Sequence, residues 1–192
     1  DVTAIVYPEA RHEVFNETVQ DEVRGLREVL AIIVASGLAP DVAAAATSVF
    51  RRLAAAEAVV HGVSVDEVHF HEVGAADALA DVVGTAAGLH ELGVTRLFVG
   101  SVNVGSGTVA CEHGVLPVPA PATARLLEGW RTHVAGPARE LTTPTGAALL
   151  TALGRQVAAP PRLRGLTRGR GAGRSDPPGW ANLLRLVVGE AA

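Results

Sequence analysis

The sequence predicts an α/β fold, a mixed sheet with amphipathic helices packed on it, with residues 1–192 forming a single domain. Three observations lead there. Short β-like runs alternate with long segments of helical periodicity. Hydrophobic residues make up 48% of the chain, enough for a core of domain size. Glycine and proline fall at the joints between these segments. The order of the strands is not readable at this level.

Taken in order, Val2–Tyr7 is a β-like run that ends at Pro8. From Val19 to Ser36, Val23, Leu26, Val29, Leu30 and Ile33 recur at helical spacing, and Gly37 stops the run. Pro40–Val60 is a second helix, with Val42, Val49, Phe50, Leu53 and Ala54 on one face and Gly62 at its end. These two helices read as scaffold, His61 being their one chemically suggestive residue. Ala75–Leu92 is the third, with Leu79, Val82, Val83, Ala86 and Leu89 as its stripe and Asp77, Asp81, Gly84 and Gly88 opposite. Glycine costs about 1 kcal/mol against alanine inside a helix. Gly84 and Gly88 therefore suggest a backbone or ligand approaching that face.

Leu97–Val104 reads as a buried strand, Gly105-Ser106-Gly107 as a tight hairpin tip and Thr108–Cys111 as the returning strand. Leu116–Pro121 is a stiff connection into a short helix that starts at Pro121 and stops at Gly129. Thr143 is a natural N-cap with Pro144 after it, leading into the apolar run Ala147–Leu153. Ala158–Arg164 is a linker or a bend. Gly165–Gly173 reads as a Gly/Arg loop, Ser175–Gly179 as a turn and Ala181–Val188 as a final strand.

Chemistry concentrates in Val68–Asp81, VHFHEVGAADALAD, which holds two histidines, a glutamate and two aspartates. An extended Val68–Val73 puts His69 and His71 on one face, with Phe70 and Glu72 on the other. Two such imidazoles can chelate a divalent metal or share a proton near neutral pH. Asp77 and Asp81 are one helical turn apart and look out from one side. A plainer reading has the histidines as an edge pair and the aspartates as a solvated helix face. Cys111 and His113, on one face if extended, extend the donor set toward Zn, Ni or Cu; alternatively Cys111 is a small buried hydrophobe. The helix start with Thr142, Thr143, Thr145 and Gly146 offers N–H groups and hydroxyls to an anion, although capping alone explains two of these residues. Arg168, Arg170 and Arg174 in the glycine loop could hold a phosphate, but neither a dinucleotide fingerprint nor a P-loop is present.

Composition narrows the field. A net charge of −4 argues against a nucleic-acid partner. All basic residues are arginine, which excludes a catalytic lysine or Schiff base. One cysteine makes no internal disulfide and fits a reducing cytoplasm. No apolar run reaches the roughly eighteen residues that span a bilayer, so no membrane partner is expected. The start, DVTAIVYPEARHE, lacks the apolar region of a signal peptide. With no initiator methionine, the chain is expected to be a fragment.

Several stretches carry a resemblance. AEAVVHG at Ala56–Gly62, VHFHEVGAADALADVVG at Val68–Gly84, GSGTV followed by HGVLPVPAPATARLLEG up to Gly129, ELTTPTGAALL at Glu140–Leu150, and GRGAG with NLLRLVVGE toward Glu190 resemble the LarC-type nickel-insertion proteins of the lactate racemase system. The likeness runs in order from about residue 40 to the end, with residues 1–39 poorly matched. It implies a nickel chelatase, or cyclometallase, of the lyase class. Such a protein inserts Ni(II) into a pyridinium bis-thiocarboxylate mononucleotide to make the nickel-pincer cofactor. CTP and Mg or Mn are required in the full-length family.

By the chemistry such a reaction needs, His69, His71 and Cys111 are expected to hold nickel, and Glu72, Asp77 and His113 to act catalytically. Gly105, Ser106, Gly107, Thr143, Thr145 and Gly146 are expected to seat the mononucleotide. The family's early Gly-, Ser- and Asp-rich segment, its HRHL-like stretch and its CTP-binding C-terminal region have no counterpart here. The chain is therefore expected to be an N-terminal-type part, inactive alone, with a separate CTP-binding part as partner. A homo-oligomer is also compatible with its alanine-rich helices. The alternative reading is a non-catalytic nickel-binding module or metallochaperone subunit.

Overall fold

In a computed structural model of the chain, residues 2–8, 25–70, 76–111, 113–173 and 177–191 are described. They form, in order, β1 (Val2–Pro8), α1 (Leu26–Ala35), α2 (Pro40–His61), a 3-10 turn at Val65–Glu67 and α3 (Ala76–Glu91). Then come β2 (Val94–Val99), β3 (Val102–Asn103), β4 (Thr108–Cys111), β5 (Gly114–Pro117), α4 (Pro121–Leu126) and β6 (Thr132–His133). The chain closes with α5 (Pro144–Leu153), β7 (Gly154–Gln156), β8 (Leu163–Ala172) and β9 (Leu183–Ala191).

The main sheet has five strands in the order β7-β2-β1-β9-β8. β2 runs parallel to both β1 and β7, whereas β9 runs antiparallel to β1 and β8. The sheet is mixed, as expected, with helices packed on it. Ala4, Leu97 and Val99 are buried on its helix-facing side. Period two carries this face onto β9, where Val188 is paired with Ala4.

Helix α2 is the beam of the helical layer and packs against α1, α3, α4 and α5. Alanine-rich sequence favours its length, Pro40 opens it, and Gly62 ends it in the left-handed conformation at φ 66°. Its Val49, Phe50, Leu53 and Ala54 are fully buried. No helix among the described residues is long and apolar enough to cross a membrane.

Four expectations need correction. The helix read over residues 19–36 begins at Leu26, with residues 19–24 outside the described set. The buried strand Leu97–Val104 is two strands, β2 and β3, and β3 pairs in parallel with β6. The hairpin tip is not Gly105–Gly107: β4 pairs with β5, and the reversal lies between Cys111 and Gly114. The Gly/Arg segment is not a loop, because residues 163–172 form the edge strand β8, tied by its ladder to β9. Gly169 and Gly171 are paired there with Leu186 and Leu184, so the neighbouring strand imposes the extended state that a glycine-rich sequence alone does not favour.

Candidate functional site

The centre of interest lies at the C-terminal end of α2. There Glu57, His61, His69 and His113 line one pocket of about 220 Å³, floored by Leu116, Ala120, Pro121, Ala122 and Pro144. Three separate pieces of chain deliver the imidazoles. His61 is the last residue of α2. His69 follows the 3-10 turn and bridges Gly25 in an isolated antiparallel pair. His113 sits at the reversal of the β4–β5 hairpin.

Local packing explains why His69 points outward. Its neighbours Val68 and Phe70 are buried at 2% and 1% exposure, and alternation leaves His69 exposed between them. Phe70 meets Phe50 of α2 with ring centroids 6.1 Å apart and planes tilted by 57°. The preceding 3-10 turn carries a capping box in which the Ser64 hydroxyl and N–H both donate to Glu67. First through that hydroxyl and then through the backbone bond, Ser64 holds the Glu67 carboxyl below its ordinary pKa.

The His61 and His113 rings lie 4.9 Å apart, centroid to centroid, at an angle of 45°. His61 Nε2 stands 3.4 Å from Glu57 Oε2, one helical turn back. The described residues include no group of three histidine, cysteine, aspartate or glutamate side chains already closed on a metal position. His71 and Glu72 lie outside the described residues.

Cys111 is half-buried, forms no disulfide and is not among the residues lining this pocket. The strand argument for pairing it with His113 does not apply, because β4 ends at Cys111 and the chain then turns. His61 is singled out in the sequence as chemically suggestive, but nothing there assigns it to a site. Its sole signal was a histidine at the last turn of a helix followed by glycine, and nothing in the spacing tied it to His113 fifty-two positions later.

Asp77 accepts a hydrogen bond at Oδ1 from the Ala78 N–H, at 2.7 Å, in the first turn of α3. Asp81 lines a different and larger cavity of about 430 Å³, together with Thr142, Thr143, Thr145, Gly146 and Arg170 and many leucines. A Cβ added at Gly84 or Gly88 meets nothing within 4 Å. The close approach expected at that helix face is thus not made by the described protein.

Several of the other expected residues also hold the fold together. Thr143 caps α5, its side chain accepting from Gly146 N–H at 3.2 Å. Thr142 is buried and donates to the Asn103 carbonyl at 2.8 Å. Gly105 N–H donates to Asn103 Oδ1 at 3.2 Å, and Ser106 N–H donates to the Arg139 carbonyl at 3.1 Å. Gly105 has φ 79°, and a Cβ there would stand 1.9 Å from the Arg139 oxygen. Asn103, missed in the sequence, is 2% exposed and organises this region: its Oδ1 accepts from Ala135 N–H as well, and its Nδ2 donates to the Ala135 carbonyl.

The profile of a family described as nickel insertion protein matches residues 3–192. A pyridinium-3,5-bisthiocarboxylic acid mononucleotide nickel insertion protein of Nocardioides sp. is 52% identical over 169 residues, covering 88% of this chain and 43% of the relative. A protein of the same name from Desulfitobacterium hafniense is 46% identical over 169 residues, covering 88% of this chain and 42% of the relative. The chain thus spans less than half the length of these relatives. No solved structure matches.

Proposed function

The chain belongs to the nickel insertion protein family, and from that premise we propose that it is the nickel-handling and substrate-binding part of an enzyme that metallates a pyridinium bis-thiocarboxylate mononucleotide. The observation that carries this reading is the convergence of His69 and His113, from distant pieces of chain, on one pocket. Imidazole suits nickel among the divalent first-row metals. Here nickel is substrate rather than resident cofactor.

In the reaction, a ring carbon exchanges its hydrogen for nickel, two sulfurs join the metal, and a proton is released. His69 and His71, joined by Cys111 and His113, would hold the ion. Glu72, Asp77 or a His113 not bound to the ion would take the proton. Thr143, Thr145 and Gly146 line the larger cavity and their neighbour Pro144 the smaller one; this segment is the seat proposed for the mononucleotide, together with Gly105, Ser106 and Gly107. CTP, Mg or Mn, the lyase assignment, a CTP-binding partner region, the single-domain organisation of residues 1–192 and a cytoplasmic setting belong to this same proposal.

The test is nickel titration of the purified chain by calorimetry beside its His69→Ala/His71→Ala variant. Binding that is lost in the variant supports the reading; unchanged affinity removes these histidines as ligands. A second reading is a nickel-binding module or metallochaperone subunit without turnover. Adding the C-terminal region of a relative together with CTP separates the two. Cofactor forms under the first reading and does not under the second.

A further inference from the structure

His61 and Glu57 have no part in the chemistry above, yet they stand in the same pocket. We infer that His61 and His113 form a two-imidazole clamp for the incoming nickel ion, and that Glu57 is the positioning residue that sets His61 for it. The inference rests on the nickel reading of this pocket and adds to it a ligand and the carboxylate behind that ligand.

Three observations support it. The two rings face each other across 4.9 Å while belonging to unconnected elements, the end of α2 and the reversal of the β4–β5 hairpin. Glu57 Oε2, 3.4 Å from His61 Nε2, directs that nitrogen toward the carboxylate. Nδ1 is then the ring nitrogen opposite that carboxylate, and a carboxylate behind a ligating histidine fixes its tautomer and raises its basicity. Finally, His61 closes a helix of 22 residues, so the negative end of the helix dipole favours a positive charge beside it.

A two-ligand clamp also suits the job. A metal that must react keeps coordination positions open, in contrast to a closed structural site. Two imidazoles hold nickel while the remaining positions are taken by the sulfurs of the substrate. The product then leaves with the ion, because the protein has not enclosed it.

The experiment uses Ni²⁺ alone and the whole chain. Calorimetric affinities are measured for the parent, His61→Ala, His113→Ala, the double variant and Glu57→Gln, with metal-free thermal unfolding as the check on folding. Nickel-induced paramagnetic shifts of the histidine ring protons are followed in the unaltered parent. Under the inference, His61→Ala and His113→Ala each weaken binding by about tenfold or more, as does Glu57→Gln at the lower end of that range. The double variant loses less than the product of the two single losses, because both act on one ion. The His61 and His113 ring protons shift together as nickel is added.

If the parent binds nickel and His69→Ala abolishes it while the His61 ring signals stay fixed, this inference falls and the proposed function stands. Independent, multiplicative losses in the double variant also overturn it. If the parent binds no nickel, both fall.

Discussion

At the start of α5, Thr142 and Thr143 spend their hydroxyls on the Asn103 carbonyl and the Gly146 N–H, and the Gly105 and Ser106 amides point at Asn103 and Arg139. At the end of α2, exposed His69 and His113 and the partly covered His61 side chain lie over a buried frame of Val68, Phe70 and Phe50. Both regions look equally rich in chemistry when read as text. The first uses its polar groups to satisfy a buried backbone, which leaving unpaired would cost about 1–3 kcal/mol per group. The second builds its frame from apolar residues, and its imidazoles line a pocket. A functional residue is better recognised by what its neighbours already satisfy than by its own type.

This contrast can be broken by substitutions that separate stability from nickel binding. The largest loss is expected at Gly105→Ala, which combines left-handed strain of ~1–3 kcal/mol with overpacking of ~1–3 kcal/mol against the Arg139 carbonyl. Denaturant unfolding should show a loss of about 4 kcal/mol by that sum, or an insoluble chain; a midpoint equal to the parent's would mean that residues 138–141 yield. Phe70→Ala should cost about 3 kcal/mol through the cavity left against Phe50. It should also weaken nickel binding, because His69 loses its anchor; full stability with reduced binding would contradict the packing account.

Thr143→Ala is expected to cost about 1 kcal/mol as a lost helix cap, with nickel affinity unaltered. A large drop in nickel affinity there would move the metal toward α5. Least of all, His69→Ala should change stability by no more than about 0.5 kcal/mol, as an exposed side chain, while nickel affinity falls. A destabilisation several times larger would return His69 to the structural group.

The sequence makes much of the frame legible and little of the assembly. Helix α2, the stripe of α3 and the Thr143-Pro144 cap follow from periodicity and capping chemistry, which act over a few residues. The outward His69 between buried Val68 and Phe70 follows from alternation. The β4–β5 hairpin was displaced because two glycine sites, Gly105–Gly107 and Gly114, offer the same local signal. Only the bridge of Gly105 to Glu140 decides between them. Strand β8 and the meeting of His61 with His113 are tertiary facts, set by pairing with β9 and by the end of α2. Asn103 reads as an ordinary strand residue until its partners at 105, 135 and 142 are seen.

The pairing of β1 with β9 reaches beyond the finished structure. Val2 lies opposite Glu190 and Pro8 opposite Leu184, so the middle strand of the sheet waits for one of its two neighbours until almost all of residues 1–191 have left the ribosome. Contacts of such sequence separation close late and slowly. Meanwhile β1 exposes an unpaired edge to other nascent chains, the kind of surface that holdase chaperones cover. Yield in the cell should therefore depend on the tempo of translation and on chaperone supply more than on any residue around the imidazoles.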